Sequence, residues 1–319
     1  MHPILKLVAQ RVALSFLLLL AASVLIFVGT QILPGDVAQA ILGQSATPEA
    51  LANLRAELGL NDPAYVRYFD WLGGVMQGDL GTALTNGKDI AESISDRLAN
   101  TLFLAFWAAL ASVPLAVFLG LIAVRYKDRW PDKTISGATL ASISIPEFLI
   151  GYVLMFYLGV SWGIFPGTAI GYRPEDDLLS RLHAIALPIM VLTLVVLAHM
   201  MRMTRAAILN VMESAYIETA ELKGLSKFAI IYRHAFPNAV APIVNVVMLN
   251  LAYLVVGVVV VEVVFVYPGM GQYLVDHVSK RDVPVVQACG LIFAAVYIGL
   301  NMIADIVSIV ANPRLRHPK

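Results

Sequence analysis

The chain has 319 residues, 59% of them hydrophobic and only 14% charged, with a mean hydropathy of +0.78. Soluble proteins average roughly 25% charged residues, so lipid is the solvent for most of this one. Lysine plus arginine balances aspartate plus glutamate at 22 each, which leaves no basic field for nucleic acid. The only cysteine, Cys289, lies in an apolar run and excludes both a disulfide framework and a cysteine-based metal site.

The first apolar run, 12–33, carries no charge and follows Lys6 and Arg11. It is longer than a signal-peptide core and lacks a small-residue cleavage site before Pro34, so it is expected to be a retained membrane anchor. The loop that follows, 34–97, predicts three helices. Thr47-Pro48-Glu49 caps a helix bearing Leu51, Leu54 and Leu58 and ended by Gly59. A second starts at Asp62-Pro63 and carries Val66, Phe69, Leu72 and Val75; a third, 89–98, aligns Ile90, Ile94 and Leu98. This helical cap suits either a docking surface or gate for an external delivery protein, or a lid over the pore mouth.

Five further stretches reach the roughly 20 residues that a helix needs to cross a hydrocarbon core: 98–124, 137–160, 182–201, 240–266 and 283–304, the last extending toward Val310. Placing the N-terminus in the cytoplasm puts 14 lysines and arginines on that side and 8 on the other. Half of those eight sit in the long 34–97 loop, where the charge rule is weak. Both termini are therefore expected in the cytoplasm, in an all-α integral membrane fold of six spans. Its divisions are 1–33 (tail and first span), 34–97 (extracytoplasmic cap) and 98–319 (core), with a cytoplasmic loop at 202–238.

Polar groups at membrane depth are costly and mark interiors or cavities. Glu147 follows Pro146, which should break the third span, so its carboxylate is expected either on a solute path or against a partner subunit. Glu262 precedes Pro268-Gly269 and Gly271 and suits either the path or a carboxylate tied to the amides of that turn. Asp305 is expected to snorkel or pair with a basic residue. His183 and His199 are too far apart along the fourth span to share a ligand, and Asn245 and Asn250 suit interhelical hydrogen bonds. Trp107, Tyr157 and Trp162 suit packing or an interfacial belt.

The 202–238 loop is too polar for lipid and too regular for a linker. Glu218-Thr219-Ala220, then Gly224, then Leu225, Phe228, Ile231 and Tyr232, then Phe236-Pro237, predict a helix, a glycine turn and a second helix stopped by proline. Such a hairpin projects from the membrane and needs a partner. This pattern resembles the EAA signature of permease subunits of ATP-binding-cassette importers, with Thr219, His234 and Phe236 departing from it. Along the chain, Leu33-Pro34-Gly35-Asp36, Leu58-Gly59-Leu60-Asn61-Asp62-Pro63, Gly78-Asp79-Leu80-Gly81, Ser144-Ile145-Pro146-Glu147-Phe148 and Arg202-Met203-Thr204-Arg205 resemble the first permease of the dipeptide/oligopeptide uptake family. So do Tyr267-Pro268-Gly269-Met270-Gly271, the segment starting Arg281-Asp282-Val283-Pro284, and Asn312-Pro313-Arg314-Leu315-Arg316.

The resemblance implies a type I importer fold in a bacterial inner membrane, carrying a small solute, a di- or oligopeptide first. It implies a heterodimer with a sister permease, two cytoplasmic ATPase subunits that use ATP and Mg, and an external solute-binding protein. Glu218, Thr219, Ala220, Gly224, Leu225, Phe228, Phe236 and Pro237 would form the coupling loop; Pro146, Glu147 and Glu262 are the candidate path residues. No cofactor or metal is expected on this chain, and no enzymatic activity. The only Gly-Lys pair, Gly87-Lys88, lacks the rest of a phosphate-binding loop. An ion-gradient-driven secondary transporter is the rival; it usually shows paired broken helices in two related halves, and no such repeat is visible.

Overall fold

The computed structural model describes residues 3–32, 37–43, 46–57 and 59–311. The Leu33-Pro34-Gly35-Asp36 motif, Leu58 and the Asn312-Pro313-Arg314-Leu315-Arg316 motif lie outside them. Helix α1 (Pro3–Ile32) is followed by α2 (Val37–Leu42), α3 (Pro48–Glu57) and α4 (Ala64–Met76). Next come α5 (Ile90–Arg125), α6 (Trp130–Ser144) and α7 (Glu147–Leu154), the last continued by a π-helical turn, Met155–Ser161. Helices α8 (Leu178–Ala184), α9 (Ala186–Met212), α10 (Ala215–Leu222) and α11 (Lys227–Ala229) lead through a second π turn, Ile230–Ala235, into α12 (Phe236–Phe265). Two more, α13 (Met270–Ser279) and α14 (Val283–Ala311), follow.

Helices α5 and α9 form the closest pair, and α12 packs against α9 on one side and α14 on the other; α1 lies against α14. Half of the apolar stretch of α9 is buried against 11% of that of α1, so α9 is the axis of the bundle and α1 its rim. The core joins Leu104, Ala108, Leu187, Val191, Met200, Leu254, Val258 and Phe265. Leu14, Phe16, Leu17 and Leu25 on α1 remain exposed, as a lipid-facing surface requires.

Among the described residues, five helices are long and apolar enough to cross a membrane. The third expected span differs: α6 and α7 meet at 102°. Pro146 has no N–H to continue the α6 ladder, and it forces Ile145 into an extended conformation (φ −96°, ψ 128°). The 89–98 helix and the second span are one element, because Asp89 caps the start of α5 through the Glu92 amide (2.9 Å) and nothing interrupts the ladder as far as the span. Pro237 does not stop the second hairpin helix either. The π turn widens the helix ahead of it and places Pro237 in the first turn of α12, where its missing N–H costs least.

In the loop, Thr47 accepts from the Ala50 amide at the start of α3 (3.2 Å). Helix α4 docks on α1 through Tyr68, whose hydroxyl meets Ser23 (2.9 Å), and through the rings of Tyr68 and Trp71 against Phe27; Phe69, expected on the apolar stripe, is exposed. Asp177 caps α8, and hydrogen bonds led by the Ser180 hydroxyl hold its carboxyl below the usual carboxylate range.

Candidate functional site

Helix α9 carries the chain out of the membrane, and the hairpin is built directly on its end. Ile217 and Ala220 on α10 turn inward and are buried with Ile230, Ile231 and Ala235 of the returning helix, with Leu121 and Val124 of α5, and with Ile208 of α9. Gly224 has φ +76°, a left-handed conformation that a side chain disfavours, with open space around it. It closes α10 together with bonds from the Leu225 amide to the Ala220 carbonyl (3.2 Å) and from the Gly224 amide to the Glu221 carbonyl (2.9 Å). Ser226 then caps α11 by accepting from the Ala229 amide (3.3 Å).

One face of the hairpin is therefore fused to the cytoplasmic ends of three long helices, and the other is bare. Glu218 and Thr219 are exposed, and the Thr219 hydroxyl donates to its own helix at Ala215 (3.0 Å). Tyr216, Leu222, Leu225 and Phe228 expose apolar surface, Leu222 at 83%. Phe236 is half-buried and Pro237 exposed, both at the root of α12.

A clamp that the sequence does not announce fixes the neighbouring corner. Arg205 of α9 donates from Nε and Nη2 to the two oxygens of the buried Asp132 on α6 (2.9 and 2.8 Å). Asp132 also accepts from the Asp128 amide (3.0 Å), whose φ of 65° turns α5 into α6. Arg205 belongs to the Arg202-Met203-Thr204-Arg205 motif; its partner, a lone aspartate 73 residues away, gives no periodic signal.

At the opposite end, Glu262 does not line an open path in this chain. It is fully buried, and its carboxylate accepts from the Thr101 hydroxyl (2.6 Å) and from the Gly271 and Gln272 amides (2.7 and 3.1 Å). Those three donors satisfy both of its oxygens. Thr101 accepts in turn from the Met270 amide (2.8 Å), Asn100 donates to the Pro268 carbonyl (2.9 Å), and the Tyr267 hydroxyl donates to the Asn100 carbonyl (2.8 Å). The turn must be glycine-rich: a Cβ on Gly269 would strike the Glu262 carboxylate, and one on Gly271 would lie 2.7 Å from Val259 Cα. This knot bends the end of α12 into α13 by 77°.

A second tie joins the loop to the last span. Asp282, just ahead of α14, accepts from both the amide and the hydroxyl of Thr85 (2.9 Å each). Leu80 of the Gly78-Asp79-Leu80-Gly81 motif packs on the neighbouring cluster, in which Ile90 and Ile94 are buried with Met270, Tyr273 and Val285.

Glu147 begins α7 at the 102° break, half-buried, and among the described residues it has no hydrogen-bond or ionic partner. Asp305 pairs with Arg11 of α1 (3.0 Å). Asn250 donates to the Val246 carbonyl within its own helix (2.8 Å) rather than across helices.

Residues 79–317 match the family described as the binding-protein-dependent transport system inner membrane component, and residues 4–105 match the N-terminal portion of such membrane components. A Brucella abortus (strain 2308) protein named for a peptide transport system permease is 34% identical over 312 residues, covering 98% of this chain and 99% of that one. The glutathione transport system permease protein of Salmonella choleraesuis (strain SC-B67) is 35% identical over 301 residues, covering 94% and 95%. Among solved structures, the methionine ABC transporter MetNI in an inward-facing conformation matches 67% of this chain and 95% of its own, with a TM-score of 0.51 at 15% identity; that likeness speaks for the fold alone. With a bent-helix bundle, a hairpin rooted on its cytoplasmic end and relatives aligned over nearly its full length, the chain belongs to the inner-membrane permease family of binding-protein-dependent, ATP-binding-cassette importers.

Proposed function

We propose that this permease forms half of a translocation path for short peptides, paired with a homologous sister permease, two cytoplasmic ATPase subunits and an extracytoplasmic solute-binding protein. The observation that carries the reading is the two-sidedness of the 202–238 hairpin. Its inner face is buried with α5, α9 and α12 while its outer face bares Tyr216, Leu222 and Leu225. A short rigid element with an apolar tip is suited to seat in a groove of a soluble subunit, and closure of two ATPases on ATP and Mg would move it as a lever. Because α9 is the bundle axis, tilting its end re-aims the helices packed on it.

Peptide is the favoured solute because relatives matching nearly the whole length are named for peptide and glutathione transport. Glu147 supports the same class: a carboxylate without a partner at a helix break suits the protonated amine that a peptide carries. Pro146 makes the break that exposes it. Glu262 is read as structural, holding the α12–α13 turn.

The test is to purify the chain from its native membrane in mild detergent, identify what accompanies it by mass spectrometry, and measure peptide-stimulated ATP hydrolysis. Recovery of a second permease and ATP-binding subunits, with hydrolysis stimulated by binding protein and peptide, is the expected result. Recovery of the chain alone, with uptake driven by an ion gradient, would return the secondary transporter.

A further inference from the structure

At the cytoplasmic end of the bundle, the turn between α5 and α6 meets the coupling hairpin in a cleft of about 260 Å³, lined by Arg125, Tyr126, Arg129, Lys227 and Phe228. The guanidinium of Arg125 lies 5.4 Å from the ring centres of both Tyr126 and Phe228, within cation–π reach of each. Among the described residues, none of Arg125, Arg129 and Lys227 is in an ion pair. Of the acids closest in sequence, Asp132 is taken by Arg205, and Asp128 forms no ion pair with any of the three. Three cations thus line a small concave site, none of them in an ion pair.

The depth of the site argues for its ligand. Arg125 is the last residue of the long apolar helix α5, and the next helix opens with Trp130, 77% exposed. An indole presented there marks the level of the lipid headgroups, and basic pockets on the cytoplasmic side of a bundle suit anionic headgroups. Arginine forks match phosphate oxygens. We propose that this cleft binds a phosphate group, that of an anionic phospholipid in the cytoplasmic leaflet. The lipid bridges the α5–α6 turn to the hairpin at Phe228 and braces the hairpin's root. The site stands on its own charges and depth, whether or not the hairpin couples to an ATPase.

The experiment uses the full chain with whatever subunits accompany it, in nanodiscs of phosphatidylglycerol plus phosphatidylcholine or of phosphatidylcholine alone, with retained lipid counted by native mass spectrometry. Wild type is expected to retain phosphatidylglycerol that the double variant Arg125→Gln/Arg129→Gln loses by at least tenfold. Arg173→Gln, an exposed position on the opposite side, should retain it, and circular dichroism checks that the double variant is folded. Equal retention by folded double variant and wild type overturns the site. Displacement by millimolar inorganic phosphate, or phosphate adducts in pure phosphatidylcholine, overturns the lipid and leaves a free-phosphate site. Cross-linking of Lys227 to acidic side chains of an ATPase subunit in wild-type membranes, with no phosphatidylglycerol retained, overturns it in favour of a protein contact.

Discussion

Gly224 carries the hairpin's geometry through its backbone alone. A side chain at φ +76° costs roughly 1–2 kcal/mol, and because the space its Cβ would occupy is open, that cost is conformational rather than steric. Gly224→Val should therefore lower ATP-driven uptake several-fold at unchanged membrane levels, while Gly224→Asn, which accepts the left-handed region better, retains more. Uptake equal to wild type in the valine variant, measured against quantified subunit levels, would contradict the lever.

Glu147 and Glu262 diverge for a reason visible in their surroundings. Glu262 has Thr101 and two backbone amides; in Glu262→Gln an NH₂ group can face those amides, and loss of the matched acceptor should destabilise the fold by about 1–3 kcal/mol. Thermal unfolding in detergent reads this as a lower midpoint. Glu147 has no such partner, so Glu147→Gln should leave the midpoint unchanged and weaken handling of peptides with a free amino terminus, by about tenfold if one charged hydrogen bond is lost. The opposite pattern, a lower midpoint without a transport defect, would make Glu147 the structural residue.

Among the elements, proline and glycine positions are the most legible in the sequence. Pro146 breaks its span and Gly224 turns its hairpin as their chemistry demands. Pro237 does not stop its helix, because a π turn lets the helix run through a proline and no local composition announces one. The 89–98 helix is not separate from the second span, because a cap marks where a helix starts and not where the membrane does. Long-range ties are the least legible. Asp132 with Arg205, Thr85 with Asp282 and Thr101 with Glu262 are each 73 to 197 residues apart, and one sequence carries no pairing signal for such contacts. They make sharp predictions. Arg205→Lys cannot reproduce the two-pronged contact on a buried carboxylate and should loosen the α6–α9 joint, by up to about 3–5 kcal/mol if Asp132 is left unpaired; a lower thermal midpoint in detergent checks this. Asp282→Ala should free the loop at Thr85, read as faster proteolysis between α4 and α5 with the bundle still folded.

For the molecule as a whole, the two ends of the bundle are tied by buried polar contacts, and the middle is packed by apolar side chains. That division suits a machine in which rigid ends pivot on a central helix. The proposed coupling requires contact between the bare face of the hairpin and an ATPase. The only native cysteine, Cys289, is buried, so Leu222→Cys provides a single accessible thiol at an 83% exposed position. Treating native membranes with a short heterobifunctional maleimide cross-linker should shift this chain by the mass of an ATP-binding subunit, and Gly224→Val in the same background should diminish the product. A thiol that reacts fully with maleimide yet yields no cross-link to any ATP-binding subunit would contradict the lever and its docking on an ATPase.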